Sequence, residues 1–481
     1  MSLSVHEPQA FTTYGWVACI WVLIVSFQYG FHISSLNQIQ AVLTCRALDE
    51  TSPATHMGMP TCIPMTDATF SVVTSVYTVG GLLGSLGANL VMDRWGRRGA
   101  VRVSAIATGL GAALMGVSAG LAPLILGRTL TGVGAGIGLC VGPIYLSELA
   151  PPKKRGAVGV LTQFAIVVGI MITQIMGLQL ATPTRWRTVL FFSAALAAVQ
   201  FVVSGGMIES PTWLDRNGLL VEKDKAAKRI WKSGQIMRST DTPNYDSQDP
   251  LLSTDVEAVE DDTGTPVPVV EVPERNDQEE AITVPELLKA PSLRRPLTIV
   301  CFSMLVQQLS GVNAVLYYSN DILSKALPDW GPWISVGITV VNFLMTFAPI
   351  ILIDRVGRKQ LLSVSAGGAI LSLLGVGFGL NSSLVALASV TIISFVASFA
   401  VGIGPVPFVM IPEVSPSHAV SALSSVGLSL NWIANFLVGL VFLPLRNALS
   451  QGDEDKEGRV FYVFAALLAF CTFVLFRVYR G

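Results

Sequence analysis

Neutral carboxamide side chains recur inside apolar stretches of this chain. Gln307, Gln308 and Asn313 lie close together in one such stretch, on either side of Gly311. A carboxamide offers a donor and an acceptor without a charge, a combination that matches the hydroxyl groups of a sugar or polyol. Because polar groups are costly in lipid, we expect these amides to face a water-filled cavity, at a helix break that Gly311 permits.

Other amides, helix breakers and aromatic rings occur in similar surroundings. Two glycines and two prolines occur within 402–407, which predicts a hinge in that stretch. The amides can bind substrate, although one or two of them can instead join neighbouring helices; they are Gln163, Asn342, Asn431 and Asn435. Three rings can offer apolar faces to a sugar or close its cavity, with ordinary packing as the alternative; they are Phe399, Phe408 and Trp432.

Two charged turns share one pattern. Asp-Arg-Trp-Gly-Arg-Arg at 93–98 recurs as Asp-Arg-Val-Gly-Arg-Lys at 354–359. Their guanidinium groups can pair with Glu148, Glu209 and Glu413, so we interpret the turns as the lock of a gate. The alternative is that they only anchor the orientation of the helices. The lock residues of the turns are Asp93, Arg94, Arg97, Arg98, Asp354, Arg355, Arg358 and Lys359.

Twelve apolar runs must position these residues, and each approaches or exceeds the roughly 20 residues that cross a bilayer core. Because an isolated segment in lipid must satisfy its own backbone, all are predicted to be helices of an all-α membrane protein. With 51% hydrophobic and 13% charged residues, the 481-residue chain is too apolar for soluble domains. Its net charge of -1 gives no field for nucleic acid. The runs lie near 13–33, 69–91, 100–119, 121–146, 158–180, 187–207, 297–322, 332–354, 359–380, 384–411, 417–445 and 459–477.

The runs group into two six-helix halves joined by a linker. The middle of the linker is acidic and proline-rich, which predicts disorder, whereas its edges near 223–231 and 284–289 have the composition of short helices. Cationic loops follow the even-numbered runs, so both termini are predicted to be cytoplasmic, with Arg185 and Arg187 as exceptions to the charge bias. The predicted segments are 1–12 (N-terminus), 13–207 (first half), 208–296 (linker), 297–477 (second half) and 478–481 (tail).

The cysteines and the known cofactor motifs give few further candidates. Cys45 and Cys62 fall in one polar loop, where a disulfide can form if the loop faces an oxidising compartment. The other four cysteines lie in apolar runs, where cysteine is usually core filler. The sequence contains no phosphate-binding loop and no metal-ligand cluster, so no metal, cofactor or enzymatic reaction is expected.

The two halves repeat each other. The charged turns occupy corresponding places, and Glu148-Leu-Ala-Pro151 recurs as Glu413-Val-Ser-Pro416. Two repeats at matching places indicate a transporter whose halves are related by an axis along the membrane normal. Together with Gly127-Arg128, Arg155-Gly156, Glu209-Ser-Pro211 and the run from Gln307 to Tyr318, they make the chain resemble the sugar porters of the major facilitator superfamily. The pattern is close to that of facilitative glucose transporters and fungal hexose transporters.

The resemblance implies alternating access and a substrate site near the bilayer midplane. It implies that a hexose binds mainly to the second half, at Gln307, Gln308, Asn313, Asn342 and Asn435, with Gln163 reaching in from the first half. It also adds Arg128 and Arg155 to the gate. The sequence departs from the family pattern in several places: Phe408 replaces a tryptophan, Thr212 an arginine, and Val420 an expected gate arginine.

Coupling to protons depends on the first run. Proton symporters of this family have an aspartate where this chain has His32, and a facilitator needs no acid there. Histidine can titrate near neutrality, so facilitated diffusion is our primary prediction and proton-coupled symport of a hexose or polyol the alternative. A non-transporting sugar receptor of the same fold is a further alternative. The expected location is the plasma membrane or a vacuolar or endosomal membrane.

Overall fold

The computed structural model describes residues 10–46, 53–56, 58–232, 282–312, 331–451, 453 and 456–479. Ten helices or helix pairs in these ranges are long and apolar enough to cross a membrane. One of them, Thr69–Gly116, contains two predicted runs that meet at Gly96, where φ is 74°. A further helix begins the seventh predicted run, whose remainder lies outside the described residues. The predicted all-helical twelve-span fold is confirmed.

The first half contains five long helices, the second of which bends at Gly96. They are α1 (Thr13–Leu43), α2 (Asp67–Gly116), α3 (Leu121–Leu149), α4 (Arg155–Leu180) and α5 (Trp186–Val203). Three short helices belong to the linker: α6 (Pro211–Arg216), α7 (Leu220–Ile230) and α8 (Val284–Lys289). The predicted helices at the linker edges are therefore present, and the acidic segment 233–281 lies outside the described residues.

The second half is more interrupted. The eighth predicted run consists of two helices separated at Thr346, and the tenth consists of two helices separated by residues 402–405, at the predicted hinge. Its helices are α9 (Arg294–Leu309), α10 (Gly331–Met345), α11 (Phe347–Val356), α12 (Arg358–Asn381), α13 (Val385–Val401), α14 (Val406–Val414), α15 (Val420–Ser450) and α16 (Arg459–Val478). Short 3-10 turns cover Pro152–Lys154, Ser204–Gly206 and Pro291–Leu293.

The loop after α1 is fastened to the first half. A disulfide joins Cys45 and Cys62, the pairing that the sequence left open, and a hairpin of β1 (Thr55–His56) and β2 (Met59–Pro60) lies within the loop that the disulfide closes. Arg187 donates to the carbonyls of Pro60 and Gly116, each at 2.8 Å. The Arg187 side chain thus holds the loop against the first half by hydrogen bonds, which explains why this cation departs from the charge bias.

The linker helix α7 is tied to the first half by the N-terminal segment. The backbone N–H of Thr12 donates to the Ile230 carbonyl at 2.8 Å, and that of Lys232 donates to the Ala10 carbonyl at 3.1 Å. Trp231 is buried, and its indole N–H donates to the Leu149 carbonyl at 3.0 Å. These contacts place the linker against the end of α3, beside Glu148.

Candidate functional site

Three of the amides form a directed chain of hydrogen bonds. Gln308 Nε2 donates to Asn431 Oδ1 at 3.1 Å, and Asn431 Nδ2 donates to Gln307 Oε1 at 2.9 Å. Gln307 Nε2 then donates to the Gly404 carbonyl at 2.8 Å. All three amide side chains are buried. The chain therefore connects α9 to α15 and ends on the break between α13 and α14.

The chain of amides lies between two helix breaks, one at the end of α9 and one at Gly404. Helix α9 ends at Leu309, and Gly311 has a φ of 75°, in the left-handed region that glycine adopts without strain. At the second break, a Cβ on Gly404 would lie 3.1 Å from the Phe399 ring and 3.3 Å from the Gln163 amide. Gln163 from the first half and Phe399 from the second thus lie beside Gly404, the residue whose carbonyl Gln307 contacts.

The other predicted substrate residues have varied surroundings. The Asn342 side-chain oxygen is buried and has no hydrogen-bond partner, so it retains an acceptor for a ligand. Asn435 lies one turn after Asn431 on α15, and Phe408 is buried in α14. Asn313 lies outside the described residues.

Trp432 contacts the first half. Its ring lies 5.6 Å from Tyr29 and 5.7 Å from Tyr77, measured between ring centroids and nearly perpendicular to both. A Cβ on Gly81 would lie 2.4 Å from the indole, so only glycine leaves room for this ring. The Trp432 ring therefore packs between the two halves.

His32 is held in one tautomer by a buried hydrogen-bond network. Ser193 Oγ donates to Gln28 Oε1 at 2.5 Å, so its oxygen accepts from His32 Nε2 at 2.7 Å. The other ring nitrogen, Nδ1, is buried without a hydrogen-bond partner. Arg128 donates to the His32 carbonyl at 2.8 Å and lies over the Tyr77 ring. Arg128 thus lies inside the first half, away from the charged turns.

In the first half, the charged turn surrounds a buried ion pair. Arg97 donates to both carboxylate oxygens of Glu148, at 3.0 and 2.9 Å, and these side chains are 0% and 9% exposed. Glu209 accepts backbone N–H bonds from Arg97 and Arg98 and not their guanidinium groups. A Cβ on Gly96 would lie 2.5 Å from Glu209, so the close approach requires glycine. Burial raises the pKa of the Glu209 carboxyl.

In the second half, the corresponding pair is more exposed. Arg358 donates to both carboxylate oxygens of Glu413, with its Nε at 3.0 and 2.9 Å, and these side chains are 22% and 25% exposed. Gly357 has a φ of 91°, as Gly96 has a positive φ in the first half. The two repeats thus form the same turn and the same type of ion pair.

The aspartate of each turn reaches the other half. Asp354 accepts the backbone N–H of Ala157 at 3.0 Å, in the first turn of α4. Asp93 lies beside Ser421, in the first turn of α15. A carboxylate at a helix N-terminus is favoured by the helix dipole. These two contacts join the halves at one end of the bundle. We call this end, which carries the charged turns 93–98 and 354–359, the basic end.

The remaining predicted gate cations lie at the basic end. Arg94, Arg155 and Arg355 are exposed, and Arg94 lies over the adjacent Trp95 ring. Lys359 is partly buried.

The sequence interpretation missed three serines that join α2 to α15; they are Ser85, Ser425 and Ser429. Their four-residue spacing within α15 was the available signal, but single serines in apolar helices rarely indicate a site.

Comparisons with known proteins agree with this architecture. The family model described as "Sugar (and other) transporter" matches residues 18–480. The facilitated glucose transporter member 3 of solute carrier family 2 from Homo sapiens is 31% identical, over 95% of this chain and 87% of its own. A probable metabolite transport protein of Saccharomyces cerevisiae is 30% identical, over 96% of this chain and 91% of its own.

Solved structures show the same fold. The proton:xylose symporter XylE bound to 6-bromo-6-deoxy-D-glucose has a TM-score of 0.73 at 17% identity, covering 97% of this chain and 96% of that one. The inward open conformation of XylE from E. coli has a TM-score of 0.61 at 18% identity, covering 96% of both chains. The predicted transporter, as opposed to an enzyme, is confirmed. This chain belongs to the sugar transporter family, within the major facilitator fold.

Proposed function

We propose that this protein carries a neutral hexose by facilitated diffusion, through alternating access of a site between its halves. The supporting observation is the amide chain from Gln308 through Asn431 to Gln307, which ends on the broken helix at Gly404. Uncharged donors and acceptors at a break between halves suit sugar hydroxyls. The names of the glucose-transporting relatives point to the same substrate class.

The proposed binding set includes residues from both halves. Gln307, Gln308, Asn342 and Asn435 contribute from the second half, and Gln163 contributes from the first. We include Asn313 on the resemblance alone. In this proposal the rings of Phe399 and Phe408 bound the cavity, and Trp432, which contacts Tyr29 and Tyr77 of the first half, closes it towards the basic end.

We place the basic end in the cytoplasm, with both termini on that side. The cations of the charged turns favour this orientation. The Cys45–Cys62 disulfide lies in a loop at the opposite end, and disulfides persist in oxidising compartments outside the cytosol. In this orientation the two aspartate contacts between the halves hold the cytoplasmic gate shut, and the Arg97–Glu148 and Arg358–Glu413 pairs fix the turns that carry those aspartates.

Facilitated diffusion is the favoured mode because the spans have few titratable groups at bilayer depth. The described parts of the spans contain no aspartate or glutamate away from the basic end. His32 uses its Nε2–H towards Ser193, and a positive charge is already present beside it on Arg128. Proton-coupled symport is the second candidate, since the unpartnered His32 Nδ1 can accept a proton.

Uptake of labelled D-glucose into liposomes that hold the purified protein tests both modes. We expect saturable uptake that stops at equal concentrations and does not change with an inward proton gradient. Accumulation above the external concentration only with the gradient would establish symport instead, and a His32→Gln variant would then lose accumulation. Binding without uptake would favour a receptor.

Site variants test the binding assignment in the same assay. Gln307→Ala or Gln308→Ala should reduce uptake about tenfold or more, because each leaves buried polar partners unsatisfied. Asn381→Ala, at the outer end of α12, is the matched control and should transport normally. Equal uptake by all three variants would contradict the site.

A further inference from the structure

A polar seam joins α2 to α15 between the proposed site and the basic end. The two helices run in opposite directions, so Gly81 faces Trp432, and Ser85 faces Ser429 one turn further along. The Ser85 and Ser429 hydroxyls are 2.9 Å apart. The Ser425 hydroxyl donates to the Ser85 carbonyl and accepts the backbone N–H of Asn89 at 3.2 Å. These contacts cross from the first half to the second.

The seam contains buried polar atoms that have no partner. The Asn89 side-chain oxygen and the Trp432 indole nitrogen are both buried without a hydrogen bond, in residues that are 3% and 1% exposed. A buried donor or acceptor that makes no bond carries a desolvation cost. One acceptor and one donor on this seam therefore lack the partner that each would find if the halves parted.

Alanine residues in place of the serines and Asn89 would pack in this interface without a desolvation cost. Hydroxyl groups in an apolar interface at bilayer depth need hydrogen-bond partners, and in the closed arrangement Ser85 and Ser429 find each other while Ser425 finds backbone groups of α2. In the proposed transport cycle, opening of the basic end would separate these hydroxyls and expose them between the amide site and the solvent. A polyhydroxy solute that passes them can replace each lost hydroxyl partner with one of its own.

We propose that Ser85, Asn89, Ser425 and Ser429 form a second, weaker binding site for a sugar on its way to the basic end. This inference rests on the proposed function. The site exists only while the seam is open, because in the closed arrangement the hydroxyls of Ser85, Ser425 and Ser429 make their contacts across the halves and leave no room for a solute. It therefore acts on sugar that enters or leaves through the basic end, and sugar that enters from the opposite end meets the amide site first.

The sidedness of KM tests the proposal. In liposomes of known orientation, the double variant Ser85→Ala/Ser429→Ala should raise the KM for D-glucose presented at the basic end about threefold to tenfold, from the loss of one or two hydrogen bonds. The KM at the opposite end should rise less, because only the lost closure of the seam acts there. Ser372→Ala, which removes a buried hydroxyl of α12 bonded within its own helix, is the control and should leave both constants unchanged.

A purely structural seam predicts the opposite result. If the serines only hold the basic end shut, their loss favours the open basic end, which lowers the KM there and raises it at the other end. That result, or unchanged constants on both sides, would overturn the second site while the proposed function stands. A wild-type protein that transports no sugar would overturn the proposed function, and the second site with it.

Opening of the seam can be checked in the wild-type protein. Cys140 is buried on the same interface, with its sulfur 3.9 Å from the Ser424 carbonyl. A membrane-impermeant thiol reagent at the basic end should label Cys140 during D-glucose transport, as read by mass spectrometry of the peptides. Cys19 and Cys471, buried elsewhere, should remain unlabelled. A Cys140 that is never labelled would mean that the seam stays closed, and the proposal would fail.

Discussion

The two charged turns have the same sequence pattern and nearly the same geometry, but they differ in burial. Arg97 and Glu148 are 0% and 9% exposed, whereas Arg358 and Glu413 are 22% and 25% exposed. Each arginine contacts both oxygens of its glutamate. Duplication therefore preserved the ion pair, and the surroundings of each copy diverged.

The linker accounts for the difference. Residues that follow the sixth span cover the first turn: Glu209 accepts its backbone N–H groups, and the Met207 carbonyl accepts a bond from Arg98 at 2.8 Å. Trp231 closes the same region at Leu149. A buried pair is costly to break because the remaining charge has no water, whereas a partly exposed charge is resolvated. We therefore expect the first turn to be the more rigid of the two.

Removing the buried carboxylate should have the largest effect. Glu148→Gln removes the carboxylate that accepts both hydrogen bonds from the buried Arg97 guanidinium, and the free energy of unfolding should fall by about 3–5 kcal/mol. Thermal unfolding in detergent measures this loss. The double variant Arg97→Leu/Glu148→Leu should recover much of it, because the buried guanidinium and its hydrogen-bonded carboxylate are then removed together. A double variant as unstable as Glu148→Gln would contradict this explanation.

Removing the exposed carboxylate should have a smaller effect. Glu413→Gln should cost about 0.5–1 kcal/mol, since water reaches the Arg358 side chain that it leaves behind. The same thermal measurement applies, and the loss should shrink further at high salt, where exposed charges are screened. If Glu413→Gln destabilised the protein as much as Glu148→Gln, burial would not be what separates the two turns.

The smallest effect is expected at Glu209, and it should depend on pH. Because burial raises the pKa of this carboxyl above its ordinary value of 4.5, the folded protein binds the proton more tightly than the unfolded chain. Its contribution to stability is complete below that ordinary value and is lost as pH rises through the raised pKa. Wild-type thermal stability should therefore fall with rising pH relative to Glu209→Gln. Parallel pH profiles for the two proteins would contradict the assignment.

Much of the fold could be predicted because bilayer-length apolar runs carry their own signal. The breaks at Gly311 and at 402–405 were also predictable, since glycine and proline change the backbone locally. The hydrogen-bond partners of individual side chains were not predictable in this way. The sequence interpretation expected guanidinium groups around Glu209, but the structure gives it backbone N–H groups, because the glycine turn exposes them on that side.

The sequence by itself determined the twelve spans, the two repeated halves and the residue types of the proposed site, because hydropathy, turn residues and duplication are written in order along the chain. Tertiary structure alone decided which residues meet. It directed the amide chain onto Gly404, aligned Ser85 with Ser429 across the halves, and buried one ion pair of two. The physical reason is that contact and burial depend on which face each helix turns to its neighbour, and this is set by the packing of distant segments.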